Sequence, residues 1–208
     1  PCYKIASYEA THIPLLRKVA KTGKPVIMSI GFASLDEVEE SVKTLRESGA
    51  KEIAVLHCLT GYSGNPKDED MNLVTIRDIR EHFNVVSGFS NNNAGIDIPV
   101  TAAIMGASII EQHLTLARSD GSVDSAFSLE PEELAEMVRR IRRAEKILGK
   151  VNYGIQSPIE EKNMHFRRSL WAAKDIKKGE KFTSENIRVL RPQVGLLPKL
   201  KYTTVELY

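Results

Sequence analysis

Lys4, Ser7, Ser29, His57, Asn92, Glu111 and His113 stand at or just past the polar ends of short apolar runs. Together they offer a cation, hydroxyls, an amide, a carboxylate and imidazoles. That inventory suits an anionic, polyhydroxylated substrate, with a divalent metal as its companion. No nucleophile–base–orienter spacing accompanies it, and Cys58 has no evident activator. No glycine-rich dinucleotide fingerprint follows any of the runs. Each residue also has a plainer reading. Lys4 can be a surface lysine, and Ser7 and Ser29 can simply end strands. His57 reads best as a satisfied core histidine, and Asn91-Asn92-Asn93 as a turn that tolerates left-handed geometry.

These residues need elements to hold them. The apolar runs are Tyr3–Ser7, Pro25–Ser29, Ile53–His57, Val85–Ser90 and Ser108–His113. Their near-continuous hydrophobicity predicts strands covered on both faces. Helical patterns separate them. Thr11 is placed to cap a helix running through Leu15, Leu16 and Val19. Ser34 and Glu37 form a capping-box pattern ahead of Val38, Val42 and Leu45. Leu73, Ile76 and Ile79 mark a third helix, and a short apolar one ends near Gly106. Ser128 and Pro131 open the longest, with Leu134, Met137, Val138, Ile141 and Leu148 along one face and an Arg-rich solvated face opposite.

The scheme is βα repeated over residues 1–150, then a polar linker at 151–166 and a small β-rich module at 167–208. An eight-fold barrel takes about 250 residues. The expected fold is therefore the C-terminal part of a TIM (β/α)8 barrel whose first units are absent from this sequence, with an open, doubly wound sheet as the alternative. Open strand edges would lower the solubility of such a part alone. C-terminal strand ends share one face of a barrel, which would gather the residues above.

The chain carries 27% charged and 42% hydrophobic residues, an ordinary globular balance. No apolar run reaches the roughly 18 residues of a membrane span. The opening residues read as a strand rather than a signal peptide, and two distant cysteines, Cys2 and Cys58, fit a reducing cytoplasm better than a disulfide framework. Net charge is +2, yet from Glu161 to Tyr208 there are 11 Lys/Arg against 5 Asp/Glu. That basic tail fits an acidic surface or an anionic ligand. Nucleic acid is not expected, because the cations are scattered and few aromatics interleave with them.

The stretches KIASYE, GKPVIMSIG, LHC, GFS, GASIIEQHLTL, SLEPEE and RRSLWAAKDIKKGE carry a resemblance in combination. The chain resembles the sialic acid synthase family, enzymes that condense phosphoenolpyruvate with an acylamino sugar, and within it the pseudaminic acid synthase branch most. N-acetylneuraminate and legionaminate synthases are the near alternatives. The resemblance implies a TIM barrel followed by a small antifreeze-like (SAF) domain, assembled as a domain-swapped homodimer in the cytoplasm. It implies that Lys4, Ser7, Ser29 and Ser90 hold the phosphate and carboxylate of phosphoenolpyruvate, with Thr60 as a further polar contact. Lys4, Glu111 and His113 would be catalytic, and Asp124 would meet sugar hydroxyls. Arg191 would reach the partner subunit's site to contact an acylamino group.

His113 would bind a divalent metal, Mn2+ or Mg2+, with Asn92 at the second ligand position. There the family has Ser-Asp-His-Thr and this chain has Ser90-Asn91-Asn92-Asn93. An amide oxygen is a weaker donor to manganese than imidazole. Likewise Ser122-Val123-Asp124 stands where the family has Gly-Pro-Asp. A non-catalytic relative, acting as a binding or assembly partner, is the reading from another class.

Overall fold

A computed structural model describes residues 1–61 and 67–200; residues 201–208, the end of the expected 167–208 module, lie outside it. The chain divides into two compact units, Pro1–Gly149 and Lys150–Tyr208.

The first unit alternates β1 (Tyr3–Ile5), α1 (Ile13–Ala20), β2 (Val26–Ser29), α2 (Leu35–Glu47), β3 (Ile53–Cys58), α3 (Thr75–Phe83), β4 (Val86–Asn91), α4 (Asp97–Ile104), β5 (Ile109–Gln112) and α5 (Pro131–Leu148). The strands are all parallel, and their order in the sheet is their order in the chain. A doubly wound sheet reverses its order at a switch point. This one does not. Right-handed crossovers without a reversal put every helix on the same face, as in a barrel wall.

Side chains alternate faces along a strand. Ile5, Val26, Met28, Ile53 and Val55 face the helices and pack with Leu16, Val19, Val38, Val42 and Leu45. Phe89 and Ile110 do the same against Ile76 and Ala102. The intervening residues line the concave face in register: Lys4 beside Ile27 and Ala54, Leu56 beside Gly88 and Ile109, Cys58 beside Ser90 and Glu111.

The helix starts test the sequence signals. Ser34 and Glu37 form the reciprocal capping box at α2, with Ser34 N donating to Glu37 Oε2 at 2.7 Å. Thr11 does not cap α1; His12 is the N-cap and Pro14 fills the first turn. Ser128 does not cap α5 either. Pro131 fixes the first helical position, so Glu130 becomes the N-cap and closes its own box with Glu133. Ser128 instead donates its hydroxyl to Asp124 O at 2.7 Å. On α5 the arginines pair with acids, Arg140 with Glu136 and Asp97, Arg142 with Glu145.

His57 lies one residue short of the end of β3, on the helix-facing side. Its ring is tilted against Phe89, and its Nε2 meets Met71 O at 2.7 Å. Burial pushes its pKa below the ordinary 6.5, opposed by the Met71 carbonyl. Above 6.5 both folded and unfolded chains hold a neutral ring. Below it the unfolded chain gains a proton that the folded one resists, so stability falls with pH until the lowered folded value is reached. Urea melts between pH 7.5 and 5 are expected to show this fall, and His57→Gln, which keeps a donor for Met71 O, should flatten it. Equal slopes for the two proteins would assign the fall elsewhere.

In the second unit a helix, α6 (Pro158–Asn163), capped by Ser157, occupies part of the segment read as a linker. Two antiparallel strands follow, β6 (Ser169–Ala172) and β7 (Ile187–Leu190). Leu170, Trp171, Phe182, Ile187 and Leu196 are among the residues that line a small apolar cavity of about 150 Å³. Arg191 follows β7 directly and is exposed. Among the described residues no helix is long and apolar enough to cross a membrane.

Candidate active site

The C-terminal ends of β1 to β5 open into a cavity of about 400 Å³ lined by Lys4, Ser7, Ser29, Cys58, Thr60, Ser90, Asn92, Glu111, Gln112 and His113. The structure thus brings together Lys4, Ser7, Ser29, Thr60, Ser90, Asn92, Glu111 and His113 as the sequence suggested. His57 does not join them. The two-residue period of β3 turns it outward and gives its place to Cys58.

Lys4 stands on β1, 3.5 Å from Glu111 Oε1, and also donates to Ile5 O at 3.0 Å. Ser90 donates its hydroxyl to the same Glu111 oxygen at 2.7 Å. One carboxylate oxygen therefore gathers a cation and a hydroxyl from β1 and β4. Ser90 is not a ready donor to an anion in this arrangement, since its proton is engaged. Ser7 accepts the Gly31 N–H at 3.0 Å, which leaves its own O–H to donate. The approach is tight: a Cβ on Gly31 would lie 2.4 Å from Thr60 Cγ2 and 2.8 Å from Ser7 Oγ. Gly31 therefore sets the spacing of Ser7 and Thr60, a role that sequence reasoning missed.

Ser29 is 2% exposed, and its hydroxyl has no hydrogen-bond partner among the described residues. A buried hydroxyl without a partner costs about 1–3 kcal/mol. Placed at the edge of this cavity, it is a donor prepared for something that enters.

Asn92 is buried and donates Nδ2 to Cys58 Sγ at 3.2 Å and to Leu59 O at 3.3 Å. Burial raises the pKa of the Cys58 thiol, against weaker opposing contributions from Ser7, Ser90 and Lys4, so the group stays protonated and does not serve as a nucleophile. His113 turns Nδ1 toward Asp124 Oδ2 at 3.6 Å and packs edge-on against Phe127. The loop that carries Asp124 is tied back to the β5 end: Leu129 N donates to His113 O and Thr115 N to Leu129 O. Arg118 clamps the same loop to the start of α5 through Glu133 and Glu130, and that guanidinium holds the Glu133 carboxyl below its usual range.

The asparagine triplet is not a left-handed turn. Among the described non-glycine residues the positive-φ positions are Asn72 and Asn84. Asn91 ends β4 fully buried, and Asn93 is buried beside it.

A family model described as the NeuB family matches residues 1–153, and a SAF domain model matches residues 167–205. This chain belongs to the NeuB family. Within that family it is 41% identical over 197 residues to a pseudaminic acid synthase of Campylobacter jejuni, covering 95% of this chain and 57% of that one. It is 40% identical over 199 residues to an N,N'-diacetyllegionaminic acid synthase of the same species, covering 93% and 58%. The crystal structure of an N-acetylneuraminic acid synthetase from Leptospira borgpetersenii superposes with a TM-score of 0.70 at 35% identity, covering 77% of this chain and 55% of that one. The NeuB chain described here thus spans a little over half the length of the curated relatives it matches. Its first unit is part of a TIM barrel, and its second carries a SAF domain.

Proposed function

We propose that this cavity is the phosphoenolpyruvate half of a nonulosonic acid synthase site. The sugar is a 2,4-diacetamido-trideoxyhexose, as a pseudaminic acid synthase would use, with the N-acetylneuraminate and legionaminate substrates as alternatives. The observation that carries this is the unpartnered Ser29 hydroxyl at a strand-end cavity that also holds Lys4 and the Ser7 O–H. Together they are a cation and two donors for a small, multiply charged anion. The identities to named synthases support the reaction class.

In this reading Lys4, Ser7, Ser29 and Thr60 bind the phosphate and carboxylate, and Ser90 acts through Glu111. C3 of phosphoenolpyruvate attacks the aldehyde carbon of the open-chain sugar: the C=C π pair becomes the new C–C bond, the C=O π pair moves to the aldehyde oxygen, which takes a proton, and C2 is left electron-poor. Water then adds at C2, and Glu111 is the mouth carboxylate able to take its proton. The C2–O bond breaks, phosphate leaves, and a 2-keto acid remains. Asp124 meets sugar hydroxyls and also faces His113. Arg191 from the SAF domain of a swapped partner contacts an acylamino group.

Asn92 and His113 are the residues that would hold a divalent metal. They fit one. The Asn92 amide turns its NH2 to Cys58 and Leu59 O, which leaves the carbonyl oxygen as its cation donor, and His113 presents Nδ1 to a carboxylate, the usual orientation of a ligating histidine. The mixed oxygen and nitrogen set suits Mg2+ or Mn2+. Such an ion, when bound, would polarise the aldehyde.

The test is phosphate release by the full chain with phosphoenolpyruvate and each candidate sugar, with Mn2+, with Mg2+ and with chelator. Release with one sugar is the expected result and names the substrate. Phosphoenolpyruvate binding without release for any sugar would favour the non-catalytic relative.

A further inference from the structure

The β4 and β5 ends carry a cluster of amides beside the cavity, whose lining Gln112 joins. Asn91 shares its face with Phe89, two residues earlier, and Gln112 with Ile110; both of those pack against Ile76 and Ala102. Asn91 and Gln112 are partners in the parallel register. Asn91 is 0% exposed. Its Nδ2 donates to Gln112 Oε1 at 2.7 Å and to Asn93 O at 2.9 Å, and its Oδ1 accepts from Asn93 Nδ2 at 3.2 Å. Gln112 Nε2 in turn reaches His113 O at 3.4 Å.

The direction of every bond in this chain is forced. A backbone carbonyl, Asn93 O, can only accept, so the Asn91 amide must present its nitrogen there. The same nitrogen meets Gln112, which must therefore offer oxygen. The remaining Gln112 nitrogen is then left for the His113 carbonyl. The next residues along the two strands, Asn92 and His113, line the cavity, and Gln112 reaches its edge from between them while Asn91 stays buried.

We infer that Asn91 and Gln112 form a neutral amide clasp across the seam of β4 and β5 that fixes the spacing of Asn92 and His113, and that Asn91 is a positioning residue for the cavity. The functional meaning rests on the synthase reading above. The test does not use turnover, so the two can fail separately.

A carboxylate at position 91, fully buried, would face two acceptors, Asn93 O and Gln112 Oε1. Asn91→Asp is therefore expected to lower the thermal midpoint of the full chain by on the order of 10 °C. Adding Gln112→Lys supplies a cation at the clasp and should recover at least half of that loss. The loss alone follows from burial at position 91; the recovery by the added cation would not be seen if the clasp were not formed. The positioning role is read from imidazole resonances. In Asn91→Leu the His113 ring signals should move while those of His82, on the far surface of α3, stay in place. Gln112→Met, at a half-buried position, serves the same purpose should Asn91→Leu not fold. Unmoved His113 signals in a folded clasp variant, or no recovery in the Asp/Lys pair, would overturn the inference.

Discussion

Replacing Lys4 by methionine is expected to lower phosphate release by the full chain on the order of 10²- to 10³-fold, with little change in stability. Methionine keeps most of the stem and removes the ammonium. The group sits 3.5 Å from Glu111 Oε1 and is about one-third exposed, so its loss costs the fold little. In the condensation proposed here the phosphate group carries its charge through to departure. A positioned cation in a cavity is worth most at that point, and removing one such group from an active site typically costs this much. Glu111 would also lose its cation while keeping the Ser90 hydroxyl. Lys4→Arg keeps the charge but replaces a point donor with a planar fork, and should restore only part of the rate. A fall of less than tenfold for Lys4→Met would remove Lys4 from the reacting centre.

Gly88→Ala is expected to destabilise the first unit by about 2–3 kcal/mol, seen as a fall in the thermal midpoint of roughly 5–10 °C. Gly88 lies in the middle of the concave face, between Leu56 on β3 and Ile109 on β5. A Cβ there would stand 2.4 Å from Leu56 Cδ2 and 2.5 Å from Ile109 O. The first obstacle is the end of a side chain and can turn away. The second is backbone in a hydrogen-bonded strand and cannot. Leu56→Ala added to Gly88→Ala should therefore recover little, because it clears the wrong atom and opens a void. Full recovery in the double variant, or no cost in the single one, would mean that β4 and β5 do not approach as closely as described.

Lys4 and Gly88 serve one face in different ways. Lys4 belongs to the mouth, where polar groups meet at strand ends. Gly88 lies one row below Cys58, Ser90 and Glu111, where Leu56 fills the space a side chain would take. A cavity rim that must hold charge in fixed places needs a floor that does not move, and the close contact at Gly88 provides part of it.

The sequence by itself determined the βα alternation, because near-continuous apolar runs and 3.6-residue stripes are local patterns that survive without tertiary context. It also determined that polar groups gather at one edge, since parallel strands all end on the same side. The motifs carried the family, through KIAS, GFS and the Glu111-Gln112-His113 strand end, and the match over residues 1–153 agrees with them. One helix cap misled because Thr11 has the right chemistry at the wrong position, and proline at 14 falls in the first turn instead; Pro131 opens α5 as expected, with Glu130 rather than Ser128 directly ahead of it.

Only the tertiary structure decided which side of each strand faces the mouth. A slip of one residue exchanges His57 for Cys58, and composition cannot detect it, because β3 is apolar on both faces. Only the packed strands showed that Ser90 is engaged by Glu111 while Ser29 has no partner, since hydrogen-bond pairing depends on neighbours distant in sequence. The asparagine triplet makes the same point. Its composition reads as a turn, but pairing with Gln112 across β5 turns Asn91 into buried structure, and alternation leaves Asn92 alone to face the cavity.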